Sequence, residues 1–228
     1  IRALNEDMPF DRFVRCQVAG DVLQGDDPLA TALTGFITAG STVTNVDGVD
    51  RERATYDKMD DIVTATGAAF LGLTIGCARC HDHKYDPISQ EDYYRLVGFF
   101  LPGKAGDRNV AIGNSGSRVK ALTWHGGNKR SNPLLKRGDV EQKGDDVGYG
   151  VLAALDPGEA DMQSRIEASG KGSADGRTGL AQWLTDVDSG AGGLLSRVIV
   201  NRLWQHHFGT VLVKTSNNFG SVGDEPTH

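Results

Sequence analysis

Three cysteines in 228 residues are too few to build a disulfide framework, so a packed core must hold the fold. No run of about 18 apolar residues occurs, which excludes a membrane-spanning helix. No charged start leading into an apolar core marks a signal peptide. The chain opens at Ile1 rather than methionine and closes on Pro226-Thr227-His228, and it reads as a piece of a longer polypeptide. Positive charge is not in excess: the formal net charge is −6 and the pI is near 5.5, which gives no reason to expect nucleic acid or an anionic membrane as partner. With 39% hydrophobic and 24% charged residues, the composition is that of a soluble globular protein of one large or two small domains.

Two of the three cysteines fall in one stretch, Thr74-Ile75-Gly76-Cys77-Ala78-Arg79-Cys80-His81-Asp82-His83-Lys84-Tyr85-Asp86-Pro87-Ile88. Cys77, Cys80 and His81 have the C-x-x-C-H spacing of a c-type haem attachment site. Thiols at i and i+3 leave one side of a backbone turn, where both can reach the vinyl groups of one porphyrin and become thioethers. The imidazole of the next residue is carried under the porphyrin centre, where a ring nitrogen can bind iron as the proximal ligand. Cys77, Cys80 and His81 are therefore the candidate cofactor-binding residues for haem c.

Zinc is the alternative cofactor, with Cys77, Cys80, His81 and His83 as its four ligands. The spacing argues against it, because a zinc knuckle usually draws its second ligand pair from a separate stretch. A third reading leaves a reduced thiol pair in a buried turn beside histidines that only hydrogen-bond. For a haem, His83 stands too close to His81 to reach the opposite face, whereas His206 and His125 are freer to serve as the sixth ligand. The candidate metal ligands are thus His81, His83 and His206.

The expected fold is mainly α, with helical segments around a C-x-x-C-H turn and a Gly-rich middle containing short strands. Asp7 is placed to cap a helix with Phe10, Phe13, Val14 and Val18 on one face, stopping at Gly20-Asp21; Cys16 within it reads as a small core residue. Leu29 to Thr38 suggests a short helix before an irregular segment. From Arg51 a clearer helix presents Met59, Ile62, Val63, Thr66 and Phe70, with Asp57, Asp60 and Asp61 read as a solvated acidic group. The apolar segment Ala68 to Ile75 should be buried and form a dry wall beside a haem. Ser89-Gln90-Glu91-Asp92 resembles a capping box ahead of the stripe Tyr93, Leu96, Val97 and Phe100. The motif thus sits between two helices, and Tyr93 and Tyr94 read as core residues or as contacts to a propionate.

Eighteen of the thirty glycines fall between Gly103 and Gly193, which breaks any helical pattern there and predicts turns and short strands. Arg137-Gly138-Asp139 in this region reads as a glycine turn rather than an integrin-binding motif. Leu180, Trp183 and Leu184 mark a helix over Arg177 to Val187. Leu195, Val198, Ile199, Arg202, Leu203 and His206 share the face of another that ends near Phe208-Gly209, and the two helices should pack together. The expected organisation is a helical domain over 1–101 with the motif, a Gly-rich connecting region over 102–176 and the start of a second helical domain over 177–228.

Phe13 to Asp21, Tyr56 to Phe100, Lys136 to Leu155 and Ala181 to Gly220 together resemble the paired domains of unknown function of planctomycete-type cytochrome C proteins. The likeness is closest over Phe70 to Ile88 and over Arg197-Val198-Ile199-Val200-Asn201-Arg202-Leu203-Trp204-Gln205-His206-His207-Phe208-Gly209, continuing in Asn218-Phe219-Gly220 and Pro226-Thr227-His228. The resemblance implies the end of one domain and the start of the next in a large exported protein. It also implies association with polysaccharide-degrading equipment, without an established biochemical activity. Cys16 departs from the pattern, where an acidic residue is expected.

Three functions compete. The first is electron transfer through one covalently attached haem, with an unknown redox partner and a periplasmic or cell-surface location, because covalent attachment takes place outside the cytoplasm. The second is a carbohydrate-active enzyme with Asp57 and Asp61, or Asp82 and Asp86, as acid and base. The third is a noncatalytic module stabilised by zinc.

Overall fold

The structure, a computed structural model, describes residues 1–41, 47–111, 117–128, 130–156 and 176–227. Helices dominate, and short antiparallel strands occupy the glycine-rich middle. After one turn at Arg2–Asn5 (α1), α2 spans Phe10–Leu23. It starts on Pro9 rather than on Asp7, whose left-handed backbone (φ 49°) lies outside the helix. Proline suits a helix entry because it has no N–H to leave unpaired. The helix also runs through Gly20, with a kink at Ala19, to Leu23. Gly20 serves a contact rather than a stop: a Cβ there would collide with the Ala30 carbonyl of α3 (Pro28–Leu33).

The segment expected as one short helix divides into α3, capped by the Asp27 carboxylate accepting from Leu29 N–H at 2.9 Å, and a 3₁₀ turn over Thr34–Thr38. Part of the irregular segment that follows, 42–46, lies outside the described residues. Helix α4 (Gly48–Thr66) buries Tyr56, Met59, Ile62, Val63 and Thr66 and passes directly into a π-helical turn over Gly67–Leu71. Gly72 ends that turn in the left-handed region (φ 62°). Helix α5 (Gln90–Phe100) begins with the complete capping box: Ser89 Oγ accepts from Asp92 N–H at 3.0 Å, and the Asp92 carboxylate accepts from Ser89 N–H at 2.9 Å. Its Tyr93, Leu96, Val97 and Phe100 are buried, as the spacing requires.

Strands β1 (Lys104–Ala111) and β2 (Arg118–His125) pair antiparallel, from Lys104 opposite His125 to Ala111 opposite Arg118. Trp124 is buried, donates its backbone N–H to Thr34 Oγ1 at 3.1 Å and lies under Lys58 Nζ. Strands β3 (Pro133–Leu135) and β4 (Lys143–Asp146) form a second pair. Of the connecting region expected over 102–176, residues 112–116, 129 and 157–175 lie outside the described residues.

Helix α6 (Arg177–Thr185) packs mainly on α2 and also touches α7 (Gly192–Phe208), which ends at a left-handed Gly209 (φ 73°). The face of α7 differs from the expected one. Leu195, Val198 and Asn201 are buried, while Leu203 and His206 are exposed. Asn201 sets this rotation: its side chain donates to Val213 O at 3.0 Å and accepts from Val213 N–H at 2.8 Å, so a polar residue pins the returning chain. Among the described residues, no helix is long and apolar enough to cross a membrane.

Candidate functional site

The cysteine-bearing turn is held between α4 and α5. Ile75–Arg79 forms a 3₁₀ helix, and the Cys80 N–H approaches Cys77 O at 3.5 Å. Such a turn sorts its side chains by depth. Ile75 and Ala78 face the core at 1% and 0% exposure, while Cys77, Cys80 and His81 are exposed, with both thiols free. The apolar segment beneath is buried as expected, through Phe70, Leu71, Leu73 and Ile75.

Arg79, between the two cysteines, anchors the turn to the rest of the fold. It pairs with Asp57 at 2.6 Å and Asp60 at 3.5 Å, and its carbonyl accepts from Gln90 Nε2 at 2.9 Å and from the Tyr94 hydroxyl at 3.1 Å. Burial works against its charge, but the Asp57 hydrogen bond and the neighbouring Tyr93, Asp60 and Asp57 outweigh it and raise its pKa. Of the acidic group read as solvated, Asp57 and Asp60 are the counter-ions of Arg79, with Asp57 still half-exposed. Nothing in the local pattern revealed a cation 22 residues beyond Asp57.

Tyr93 and Tyr94 are core residues. The Tyr93 hydroxyl donates to Asp60 at 2.6 Å. Burial pushes the phenols of Tyr56, Tyr93 and Tyr94 up, Tyr56 to about 12, and the Asp60 hydrogen bond raises Tyr93 further. An unfolded tyrosine titrates near 10. The neutral phenols therefore contribute stability that is complete below about pH 10 and is lost as pH climbs toward the folded values, because the unfolded chain then holds fewer protons. The unfolding free energy from urea denaturation should fall from pH 10 upward, by up to about 1.4 kcal/mol per pH unit for each phenol, and Tyr93→Phe should flatten that limb.

The two histidines of the motif are in opposite states. His81 Nδ1 lies 2.7 Å from Asp82 O, and because a carbonyl only accepts, Nδ1 carries the proton in the neutral ring. Nε2 is then the unprotonated ring nitrogen. His83 is the reverse. Its Nδ1 accepts from Asp86 N–H at 2.9 Å and from Tyr85 N–H at 3.4 Å, so the proton sits on Nε2, 3.4 Å from Thr74 Oγ1. The Nδ1 lone pair of His83 is thus engaged by the backbone. Among the described residues, no group of three or more His, Cys, Asp or Glu side chains is placed to hold a metal ion.

Asp86 is buried beside His83. Its Oδ1 accepts from Ser221 N–H at 2.6 Å, whereas Oδ2, 3.5 Å from His83 Nδ1, has no hydrogen-bond partner among the described residues. His83 Nδ1 cannot both accept from the Asp86 N–H and donate to its carboxylate. Asp86→Asn puts an NH₂ donor in place of the orphaned oxygen while keeping an acceptor for Ser221, and it should leave the unfolding free energy within about 0.5 kcal/mol of the parent or raise it. Asp86→Ala strands the Ser221 N–H and should cost about 1–3 kcal/mol in urea denaturation.

The remaining candidates do not converge on the turn. His125 Nδ1 accepts from Arg108 Nε at 3.1 Å, and its Nε2 lies 3.2 Å from Gly106 O, so both nitrogens are engaged within the hairpin. His206 is exposed in the last turn of α7. Of the proposed acid–base carboxylates, Asp57 is committed to Arg79, Asp82 accepts from the Gln90 N–H at 2.8 Å to start α5, and Asp86 is committed to Ser221. Asp61, the fourth, is exposed on α4. Arg137-Gly138-Asp139 does have a place at the site: a Cβ on Gly138 would stand 3.1 Å from Cys80 Sγ, so this turn walls one side of the second thiol. Beyond it, a cleft of about 730 Å³ between α5 and the β3–β4 pair is lined by Glu91, Arg95, Lys136, Asp145 and Tyr149 among others.

Residues 1–104 match the family model PSCyt2, a protein of unknown function (DUF1549), and residues 176–228 match PSD1, a protein of unknown function (DUF1553). No curated protein and no solved structure matches the chain.

Proposed function

From its membership of the family that pairs these two domains, together with the state of His81, we propose that the chain is a c-type haem-binding module for electron transfer. The observation that supports this is that the two thiols of the C-x-x-C-H sequence are free and exposed and that the following His81 keeps its proton on Nδ1. Each thiol of Cys77 and Cys80 would add across a vinyl group, the sulfur bonding one carbon and the thiol hydrogen passing to the other, with no net redox change. His81 Nε2 would bind the iron. A haem so held supplies one-electron exchange. The rest of the chain positions these three residues: Ala78 and Ile75 fix the turn in the core, and Arg79 locks it between Asp57, Asp60 and the Tyr94 hydroxyl.

Covalent attachment implies an exported, periplasmic or cell-surface protein with a separate redox partner, serving the polysaccharide-degrading equipment that the resemblance suggests. The proposed organisation is the motif domain over 1–101, a connecting region over 102–176 and the start of the second domain from 177. Coexpression with cytochrome c maturation factors, followed by acid-acetone extraction, tests the reading. A Soret band kept by the parent and lost in Cys77→Ala/Cys80→Ala supports it. A colourless parent carrying stoichiometric zinc would replace it with a structural metal module.

A further inference from the structure

The PSD1-matching segment reaches across the fold and closes on the loops that flank the cysteine turn. A π-helical turn ending at Gly72 leaves carbonyls without an intrahelical partner. Arg202 of α7 takes two of them, donating from Nη1 to Ala69 O and from Nη2 to Ala68 O, both at 2.7 Å. Burial lowers the pKa of Arg202, and its third bond goes to Asn217 Oδ1 at 3.1 Å. Phe219 N–H donates to Gly72 O at 2.7 Å, and a Cβ on Gly72 would stand 2.6 Å from the Phe219 ring. Gly72 is thus fixed twice, by its positive φ and by the ring against it.

On the other side of the turn, Ser221 N–H donates to the buried Asp86 carboxylate at 2.6 Å. Gly220 makes this approach possible, since a Cβ there would collide with both carboxylate oxygens. The two contacts bracket the motif, at Ala68–Gly72 before Cys77 and at Asp86 after His81. Asp86 in turn supplies the N–H that fixes the His83 ring, and the His83 N–H donates to Ile88 O at 2.8 Å to close the loop.

We infer that Arg202 and Phe219–Ser221 are positioning residues for the C-x-x-C-H turn: the second family segment acts as a clasp that fixes the loops on both sides of the turn in the first. The clasp is a property of the haem-free chain. Its consequence for cofactor attachment rests on the haem reading, and the two are tested separately.

The test uses the full, haem-free chain. Amide hydrogen exchange over residues 72–88 and the ¹⁵N resonances of the His83 ring are compared in the parent, Arg202→Ala, Arg202→Lys and Gly220→Ala. The parent should show one fixed His83 tautomer with Nδ1 unprotonated. In Arg202→Ala and Gly220→Ala, exchange over 72–88 should accelerate at least about tenfold and the two His83 nitrogens should move toward a tautomer average, while the buried amides of Val63 and Val97 keep their parent rates. Arg202→Lys, which can still reach one carbonyl, should recover part of the protection. If Gly220→Ala unfolds the whole chain, the Arg202 pair decides. Parent-like exchange and a fixed His83 tautomer in Arg202→Ala would overturn the clasp, whatever the haem result. Haem incorporation, measured afterwards by extraction, should fall several-fold in the same variants if the haem reading also holds; equal incorporation with accelerated exchange would overturn only the link between clasp and attachment.

Discussion

Asp21→Ala should destabilise the folded chain by about 3–5 kcal/mol, measured by equilibrium urea denaturation. Asp21 and Arg177 form a bidentate pair, Nη1 to Oδ1 and Nη2 to Oδ2, both at 3.0 Å, with side-chain exposures of 4% and 1%. Arg177 also donates to Val18 O at 3.2 Å. Removing the carboxylate leaves a guanidinium buried between α2 and α6 with its main counter-charge gone, and that desolvation penalty exceeds the worth of the pair itself. The comparison that isolates burial is Glu6→Ala. The Arg2–Glu6 pair has a similar distance, 2.9 Å, but both side chains are more than half exposed, and its loss should change stability by no more than about 0.5 kcal/mol. Because Asp21 lies in the first family match and Arg177 in the second, Asp21→Ala should also lower the cooperativity with which the two segments unfold.

The second large effect is expected at Ala78. Its side chain is fully buried between the two exposed cysteines, in a cluster with Ile75, Leu71 and Leu96. Ala78→Asp places a carboxylate there without a partner, at a cost of several kcal/mol, or forces the turn outward. Either outcome takes the thiols out of their shared turn. Haem incorporation should be abolished while Ala78→Ser, with a small hydroxyl able to bond within the turn, keeps most of it. Retained incorporation in Ala78→Asp would mean that the core beneath the turn does not position the cysteines.

The C-x-x-C-H spacing was legible because it is local: Cys77, Cys80 and His81 stand within five residues, and all three are exposed at or just after the 3₁₀ helix Ile75–Arg79. The capping box at Ser89 and the stripe of α5 were readable for the same reason, and so was the left-handed stop at Gly209. What failed was long-range. Asp57 and Asp60 look solvated on their own helix, and only the fold brings Arg79 to them. Gly20 reads as a helix breaker, but it is the contact with Ala30 that needs glycine. The face of α7 was misread because Asn201, absent from the apolar pattern, is the buried residue that binds the Val213 backbone. His83 and His81 are chemically equivalent in the sequence; which nitrogen each has left depends on backbone groups whose positions the sequence does not state.

The most direct measurement is intact-mass and peptide mass spectrometry of the chain after coexpression with maturation factors. The expected result is a mass gain of one haem, located on the tryptic peptides that hold Cys77 and Cys80, with Cys16 unmodified. An unmodified mass, with Cys77 and Cys80 both open to alkylation in a folded protein, would contradict covalent haem binding.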